Sequence, residues 1–360
     1  MRDFSEAPFL VIWETTQACD LACKHCRASA QPGRDAQELS TSEAKALLRQ
    51  VKRLGDPLMV FTGGDPLKRD DLLQLLEYSV SIGLRTTVTP SATPLLTAEA
   101  IERFKACGVA RMAISIDGPD AQSHDDFRQV AGSFQTSIDA LNSARACGLE
   151  TQVNTTVTRS NLHLLADIAA LVAASGARLW SVFFLIVTGR AQLDDDLSAA
   201  EYEQVFEFLY ETSLIAPFDI KTTEAQHYRR YVAQRRKLDG VAGPSRSGHA
   251  PPSIARQAGI NDGKGFVFVS RRGEIFPSGF LSISAGNVRD VELGHAYRTA
   301  PLFLSLRDSS QLDGKCGGCD FKNLCGGSRS RAYALTGDYL ASDPRCVYIP
   351  VQLLTGASAM

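Results

Sequence analysis

Three cysteines, Cys19, Cys23 and Cys26, fall within the stretch TTQACDLACKHCRA, directly after a short apolar run. Thiols at these spacings let a single loop wrap a metal ion or an iron–sulfur cluster. A structural zinc site closes on four ligands, usually drawn from Cys-x2-Cys pairs, and His25 is the nearest fourth donor. It is adjacent to Cys26, however, and joint ligation of one small ion by sequence neighbours is strained. A four-iron cluster held by three thiolates leaves one iron open. An open position is what separates a metal centre that binds substrate from one that is only structural or relays electrons. A second group lies near the other end of the chain, where Cys316, Cys319, Cys325 and Cys346 supply four thiolates, enough to close a site completely. By spacing alone, zinc and a four-iron cluster both suit that group.

Nine cysteines are present in all. The N-terminal apolar run of about six residues, broken by Glu14, is too short for a signal-peptide core or a spanning helix. A cytoplasmic setting is therefore expected, where clustered thiols hold metals or do chemistry and disulfides are rare. Cys107 and Cys147 stand apart, each before a glycine that ends a helical pattern, and read as small packing residues. Thirty-eight basic residues against forty acidic ones leave a formal charge of −2. No net field draws nucleic acid or an anionic membrane, and neither is expected as a partner.

The elements that position these groups repeat from residue 9 to about 186. Apolar runs (FLVIWE, LMVFTG, LRTTVT, RMAISID, TQVNTTVT and LWSVFFLIV) read as strands buried on both faces, as in a parallel sheet. Helical patterns between them mostly open on Ser, Thr, Asp or Asn and close on Gly55, Gly83, Gly108, Gly148 and Gly176, the residue type suited to a left-handed helix end. Periodicity alone leaves an open doubly wound sheet and a barrel both possible. A further helix, SAAEYEQVFEFLYETSLI, and a strand at FDIKTTE follow, then a Gly/Pro/Ser-rich loop, GVAGPSRSGHAPPS. Beyond it, GFVFVSRRGEIFPSGF reads as a β-hairpin around RRGE.

The first cysteine group resembles the radical S-adenosylmethionine (radical SAM) superfamily, whose hallmark is Cys-x3-Cys-x2-Cys with an aromatic residue before the last cysteine. Cys19, Cys23 and Cys26 match it, with His25 in the aromatic place beside the cofactor. The resemblance implies an α/β fold, a partial (β/α)6 TIM-type barrel with a small C-terminal β-hairpin and cysteine-rich extension. It also implies a [4Fe–4S] cluster whose open iron binds S-adenosylmethionine, giving a 5′-deoxyadenosyl radical that abstracts hydrogen from a substrate. Gly63, Gly64 and Asp65 of FTGGDP occupy the family's Gly-Gly-Glu position, which holds the methionine amino group. Ser115 and Asp117 of SIDG and Asn154 of VNTT match residues lining the ribose and carboxylate side. Taken singly, these are also ordinary turn and loop-capping residues. Arg128 and Arg159 either fork onto the cofactor carboxylate or form surface ion pairs.

The second group is similar to the SPASM/twitch extension of radical SAM maturases. Ser278 and Arg329 stand where the full extension has further cysteines, so the resemblance implies one auxiliary [4Fe–4S] cluster on Cys316, Cys319, Cys325 and Cys346. The expected organisation is a core at 8–190, bridging helices and loop at 191–261, and the extension at 262–350. Tyr202, Glu224, His227 and Tyr228 of the bridge face either the cavity or solvent. The implied activity is that of an enzyme acting on a peptide or protein side chain, or on the side chain of a heme-precursor tetrapyrrole, with a flavodoxin or ferredoxin as reductant. The alternative from another class is a non-catalytic zinc-binding scaffold.

Overall fold

Seven strands run parallel and side by side in chain order in the computed structural model, which describes residues 3–240, 259–351 and 353. They are β1 (Leu10–Glu14), β2 (Leu58–Thr62), β3 (Arg85–Val88), β4 (Arg111–Ser115), β5 (Thr151–Val157), β6 (Leu179–Phe184) and β7 (Asp219–Thr223). Helices α1 (Thr41–Arg53), α2 (Leu72–Ser81), α3 (Ala98–Ala106), α4 (Ala121–Arg128), α5 (Ser133–Ala146), α6 (Leu165–Ser175) and α7 (Ala199–Ile215) carry the chain from one strand to the next. The sheet is curled into the partial barrel the sequence suggested. After α8 (Tyr228–Leu238), β8 (Phe266–Val269) adds to the free side of β1 in parallel, and β9 (Ile275–Phe276) turns back antiparallel to it as the RRGE hairpin. Most of the Gly/Pro/Ser-rich loop, residues 241–253, lies outside the described residues.

The expected strand burial needs correction. In β2 and β5 every second residue is only half-buried. One face packs Met59, Phe61, Val153 and Val157 against the helices, while Val60, Thr62, Asn154 and Thr156 line the lumen of an incompletely closed sheet. That inner face is covered less completely than the face packed against the helices.

The helix ends follow the sequence closely. Gly55, Gly83, Gly108, Gly148 and Gly176 all have φ between 69° and 97°, a conformation other residues adopt at a cost. The N-termini are less uniform. Ser40 forms a capping box with Glu43, and Thr97 accepts from the Ala100 amide. Asp71 makes no side-chain cap, and α5 starts on a left-handed Gly132. Among the described residues no helix is long and apolar enough to cross a membrane.

Candidate active site

The loop at residues 15–31 leaves the carboxyl end of β1. Thr15 extends the β1–β2 ladder by donating its amide to the Thr62 carbonyl at 2.7 Å, and the loop closes where the Cys19 amide meets the Gln31 carbonyl at 2.8 Å. Inside this hoop Cys19, Leu21, Cys23 and Ala30 form a small buried cluster against which Cys26 and Val130 pack. The sulfurs face donors: the Leu21 amide lies 3.3 Å from Cys19 Sγ, the Ala30 amide 3.4 Å from Cys26 Sγ and Arg128 Nη1 3.6 Å from Cys23 Sγ. Such donors offset the negative charge of a bound cluster.

Gly63 and Gly64 let the β2 end come close beneath this loop. A Cβ on Gly64 would lie 2.5 Å from the Ala18 carbonyl oxygen, and one on Gly63 2.6 Å from that of Thr16. The approach is fixed by the Gly64 amide donating to Thr16 O at 2.8 Å and the Asp65 amide to Ala18 O at 2.6 Å. The Asp65 carboxylate is buried and engaged locally, accepting from the Leu67 amide at 3.1 Å, the Ser91 amide at 3.3 Å and Thr93 Oγ1 at 2.8 Å. Burial is the largest influence and pushes its pKa up. Ser91, a residue the motif reading passed over, accepts from Cys19 Sγ at 3.5 Å and donates to the Gly64 carbonyl at 2.7 Å.

Asp117 and Arg128 meet behind Cys23 as a buried ion pair, so Arg128 reaches the loop and Asp117 holds it there. Desolvation raises the Asp117 pKa, opposed by the Arg128 charge and the Thr156 amide, which donates to Asp117 Oδ1 at 2.7 Å. Arg159 is exposed, its amide bonded to the Asp195 carbonyl; it is not brought to the loop. His25 lies against Phe127 with ring centroids 4.5 Å apart. Burial, then the Arg128 and Arg190 cations, hold its pKa well below the ordinary histidine value, and its Nδ1 is buried without a partner. Ser115 and Asn154 sit opposite each other in the β4–β5 register, on the lumen face because Ile114 and Val153 pack outward.

The motif reading also missed Arg190. Its amide donates to the Cys26 carbonyl at 3.1 Å, and its Nε and Nη2 are buried without partners. Gly189 beneath it admits no side chain, since a Cβ would lie 2.3 Å from Cys26 O. The signal was available, because this Gly-Arg pair follows β6 at the same sheet end as the other loops.

Cys316, Cys319, Cys325 and Cys346 line one recess of about 410 Å³, counted to its open mouth, with His227, Arg230, Lys315 and Lys322 around it. Cys316 lies in a short helix, Gly314–Gly317. Three sulfurs accept backbone amides at 3.3–3.4 Å, Cys316 from Asp343, Cys319 from Phe321 and Cys325 from Gly327. Arg329 Nη2 is 3.6 Å from Cys316 Sγ, so the residue standing in place of a cysteine reaches a thiol's hydrogen-bond shell. Ser278 lies elsewhere, buried and donating to Glu224 Oε1 at 3.2 Å. Four thiols on one recess, ringed by cations, suit the charge and ligand number of a closed iron–sulfur cluster.

Tyr202 and His227 stack inside the protein, their ring centroids 5.3 Å apart, and Tyr228 is buried beside them. Glu224 caps the end of β7 in a left-handed conformation, φ 58°. It accepts from Ser328 Oγ at 2.6 Å, and Asp262 accepts from the Ser330 amide at 2.8 Å. Burial pushes the pKa of both carboxyls up, and for Glu224 the nearby Asp262 charge adds to it. None of these bridge residues faces solvent.

A curled parallel sheet with a three-cysteine loop after its first strand defines a class. Residues 13–172 match the Radical SAM superfamily model, and the chain belongs to that superfamily. It is 43% identical to an AdoMet-dependent heme synthase of Nitratidesulfovibrio vulgaris, covering 97% of this chain and 95% of that protein. It is 26% identical to an Fe-coproporphyrin III synthase of Methanosarcina barkeri, covering 94% and 87%. The crystal structure of Streptococcus suis SuiB bound to S-adenosylmethionine shares the fold with a TM-score of 0.73 at 17% identity, over 95% of this chain and 78% of that one. The chain is therefore a radical SAM enzyme, and the family's cofactors are S-adenosylmethionine and a [4Fe–4S] cluster. The zinc-scaffold alternative is set aside.

Proposed function

We propose that this enzyme modifies a carboxylate-bearing side chain of a heme-precursor tetrapyrrole. The observation that carries the reading is the 43% identity to an AdoMet-dependent heme synthase along 97% of the chain. The half-buried polar residues on the inner faces of β2 and β5, near the cysteine loop, support it. Cys19, Cys23 and Cys26 would hold the cofactor-binding cluster, and Cys316, Cys319, Cys325 and Cys346 an auxiliary [4Fe–4S] cluster. When bound, the first cluster and S-adenosylmethionine supply the 5′-deoxyadenosyl radical that takes a substrate hydrogen.

The residues of the chain do the positioning. Gly63 and Gly64 allow the loop to sit close to β2, and Asp65 holds the 91–93 turn under Cys19. Arg128, kept in place by Asp117, neutralises charge at Cys23. Arg190 and His25 present unpartnered nitrogens beside the loop that would hold polar groups of the cofactor, with Ser115 and Asn154 on the neighbouring lumen wall. The apolar hoop around the thiols keeps water from the reacting centre. A cytoplasmic setting with a flavodoxin or ferredoxin as reductant completes the reading.

The test is anaerobic reconstitution with iron and sulfide, reduction with dithionite, and incubation with S-adenosylmethionine and iron coproporphyrin III. The expected result is 5′-deoxyadenosine together with a porphyrin whose mass changes in its side chains. Continued 5′-deoxyadenosine formation with the porphyrin recovered unchanged would refute the substrate assignment.

A further inference from the structure

The lumen wall formed by β6 and β7 carries donors that the chain leaves unused. Ser181 pairs in register with Lys221, and Phe183 with Thr223. Trp180, Val182 and Ile220 pack toward the helices, so alternation turns Ser181, Phe183, Lys221 and Thr223 to the lumen. Ser181 Oγ and Thr223 Oγ1 are buried without a hydrogen-bond partner. Among the described residues the Lys221 side chain has no ion pair or hydrogen bond. Its charged neighbours are cations: burial, then Arg229 and Arg111, push its pKa down to about 8. Arg111 is already paired with Glu150 at 3.0 Å, and Arg229 faces the Leu324 carbonyl at 3.4 Å.

Two buried hydroxyls without partners are a costly arrangement, and the half-buried Lys221 beside them has no carboxylate to face. Beside it lies an aromatic surface, since Phe183 meets Phe280 with centroids 6.5 Å apart and both rings are half-buried. The same register row continues through Ser181 to Asn154 and Ser115. Lys221 is thus three strand spacings, at most about 14 Å, from the Ser115 wall.

We propose that Lys221, with the Ser181 and Thr223 hydroxyls, forms a subsite for a carboxylate of the substrate, while the Phe183–Phe280 pair packs the adjoining planar ring. This rests on the tetrapyrrole reading above and deepens it, since such macrocycles join a flat ring to carboxylate side chains. The cation and hydroxyls hold one carboxylate on the β6–β7 wall, and the ring then extends across the lumen toward the Ser115–Asn154 wall. Orientation of the macrocycle, and hence which side chain meets the radical, is set by this anchor.

The experiment titrates the reconstituted full chain with iron coproporphyrin III and with its tetramethyl ester, reading the porphyrin absorption, for wild type, Lys221→Met and Lys221→Arg. The wild type is expected to favour the free acid. Lys221→Met should weaken binding of the acid about tenfold, the loss of one charge-assisted contact, and leave that of the ester unchanged, while Lys221→Arg keeps most of the acid affinity. Unchanged cleavage of S-adenosylmethionine in the absence of porphyrin shows that Lys221→Met is folded and loads its cofactor. If the wild type binds the acid tightly and Lys221→Met binds it equally well, the subsite is wrong and the tetrapyrrole reading stands. If the wild type binds neither porphyrin, the reading fails and the subsite with it.

Discussion

Replacing Gly64 with alanine tests whether contact between the β2 end and the cysteine loop organises the site. Gly64 is not among the residues with positive φ, so the substitution acts through space alone. Its Cβ would lie 2.5 Å from Ala18 O, 2.6 Å from Gln17 O and 2.8 Å from Ala18 C. These are backbone atoms, so no side-chain rotation relieves the clash and the loop itself must move. Moving it lengthens the bonds from the Gly64 amide to Thr16 O and from the Asp65 amide to Ala18 O, now 2.8 and 2.6 Å. Overpacking costs about 1–3 kcal/mol and lengthening the two hydrogen bonds without breaking them about 1 kcal/mol together, so a total of about 2–4 kcal/mol is expected. With an unfolding entropy of about 2.1 cal/mol/K per residue, the thermal midpoint of this 360-residue chain should fall by about 3–5 °C. Gly33→Ala is the control, since nothing lies within 4 Å of its added Cβ. The assay follows thermal unfolding and iron content of the two reconstituted variants, then 5′-deoxyadenosine formation. Equal midpoint, iron content and cleavage in Gly64→Ala and Gly33→Ala would refute a role for this close approach.

Three further outcomes follow from the same geometry. Cys23→Ala should abolish 5′-deoxyadenosine formation, whereas Cys346→Ala should retain some uncoupled cleavage and lose substrate turnover; equal product formation by both would contradict the two roles. Arg128→Met leaves Asp117 charged and buried and should cost about 3–5 kcal/mol. Adding Asp117→Asn should restore most of the thermal midpoint without restoring cleavage, and a double variant that regains both would remove Arg128 from the cysteine site. Glu224 has a folded-state pKa raised above the ordinary carboxylate value, chiefly by burial. The native state therefore holds a proton that the unfolded chain releases, and stability falls as pH rises from the carboxylate range toward the raised native pKa. Thermal midpoints across that window should decline less for Glu224→Gln than for wild type, and parallel declines would argue against a protonated Glu224.

The strands, the repeating helices and both cysteine groups were legible because each rests on local signals: apolar runs, left-handed glycines and thiol spacing. The order of the strands in the sheet was not, because an open doubly wound sheet and a barrel share the same periodicity. The half-exposed inner faces of β2 and β5 were not, because a run such as TQVNTTV looks the same whether its polar face meets helices or a lumen. Helix α4 was missed for a different reason. Its eight residues, AQSHDDFR, bury only His124 and Phe127 and rely on the Asp120 cap, too little pattern to read as an amphipathic helix. That element delivers Arg128 to Cys23, so the choice between a cofactor contact and a surface ion pair could not be made from sequence. Ser181 and Lys221 escaped notice because their interest lies in partners they lack, and only packed coordinates show that.

The extension is tied into the catalytic end of the sheet by more than a linker. β8 pairs with β1 along Leu10–Trp13, so the strand that launches the cysteine loop is flanked on both sides. Glu14, buried at the end of β1, holds Arg27 from the loop and Arg271 from the β8–β9 turn on its two oxygens. The Arg27 guanidinium also lies 4.7 Å from the Phe268 ring centroid. Removing either arginine would leave Glu14 with a single partner in a site too dry to replace the other with water. The same hairpin leads on to Ser278, whose hydroxyl meets Glu224, and Glu224 in turn accepts from Ser328, three residues after Cys325. The hairpin thus touches the Cys19–Cys26 loop through Arg271, Glu14 and Arg27, and further along the chain it reaches the neighbourhood of the second cysteine recess through Ser278, Glu224 and Ser328. Displacement of the hairpin would disturb both groups of thiols, which ties the geometry of the distant four-cysteine site to that of the open one.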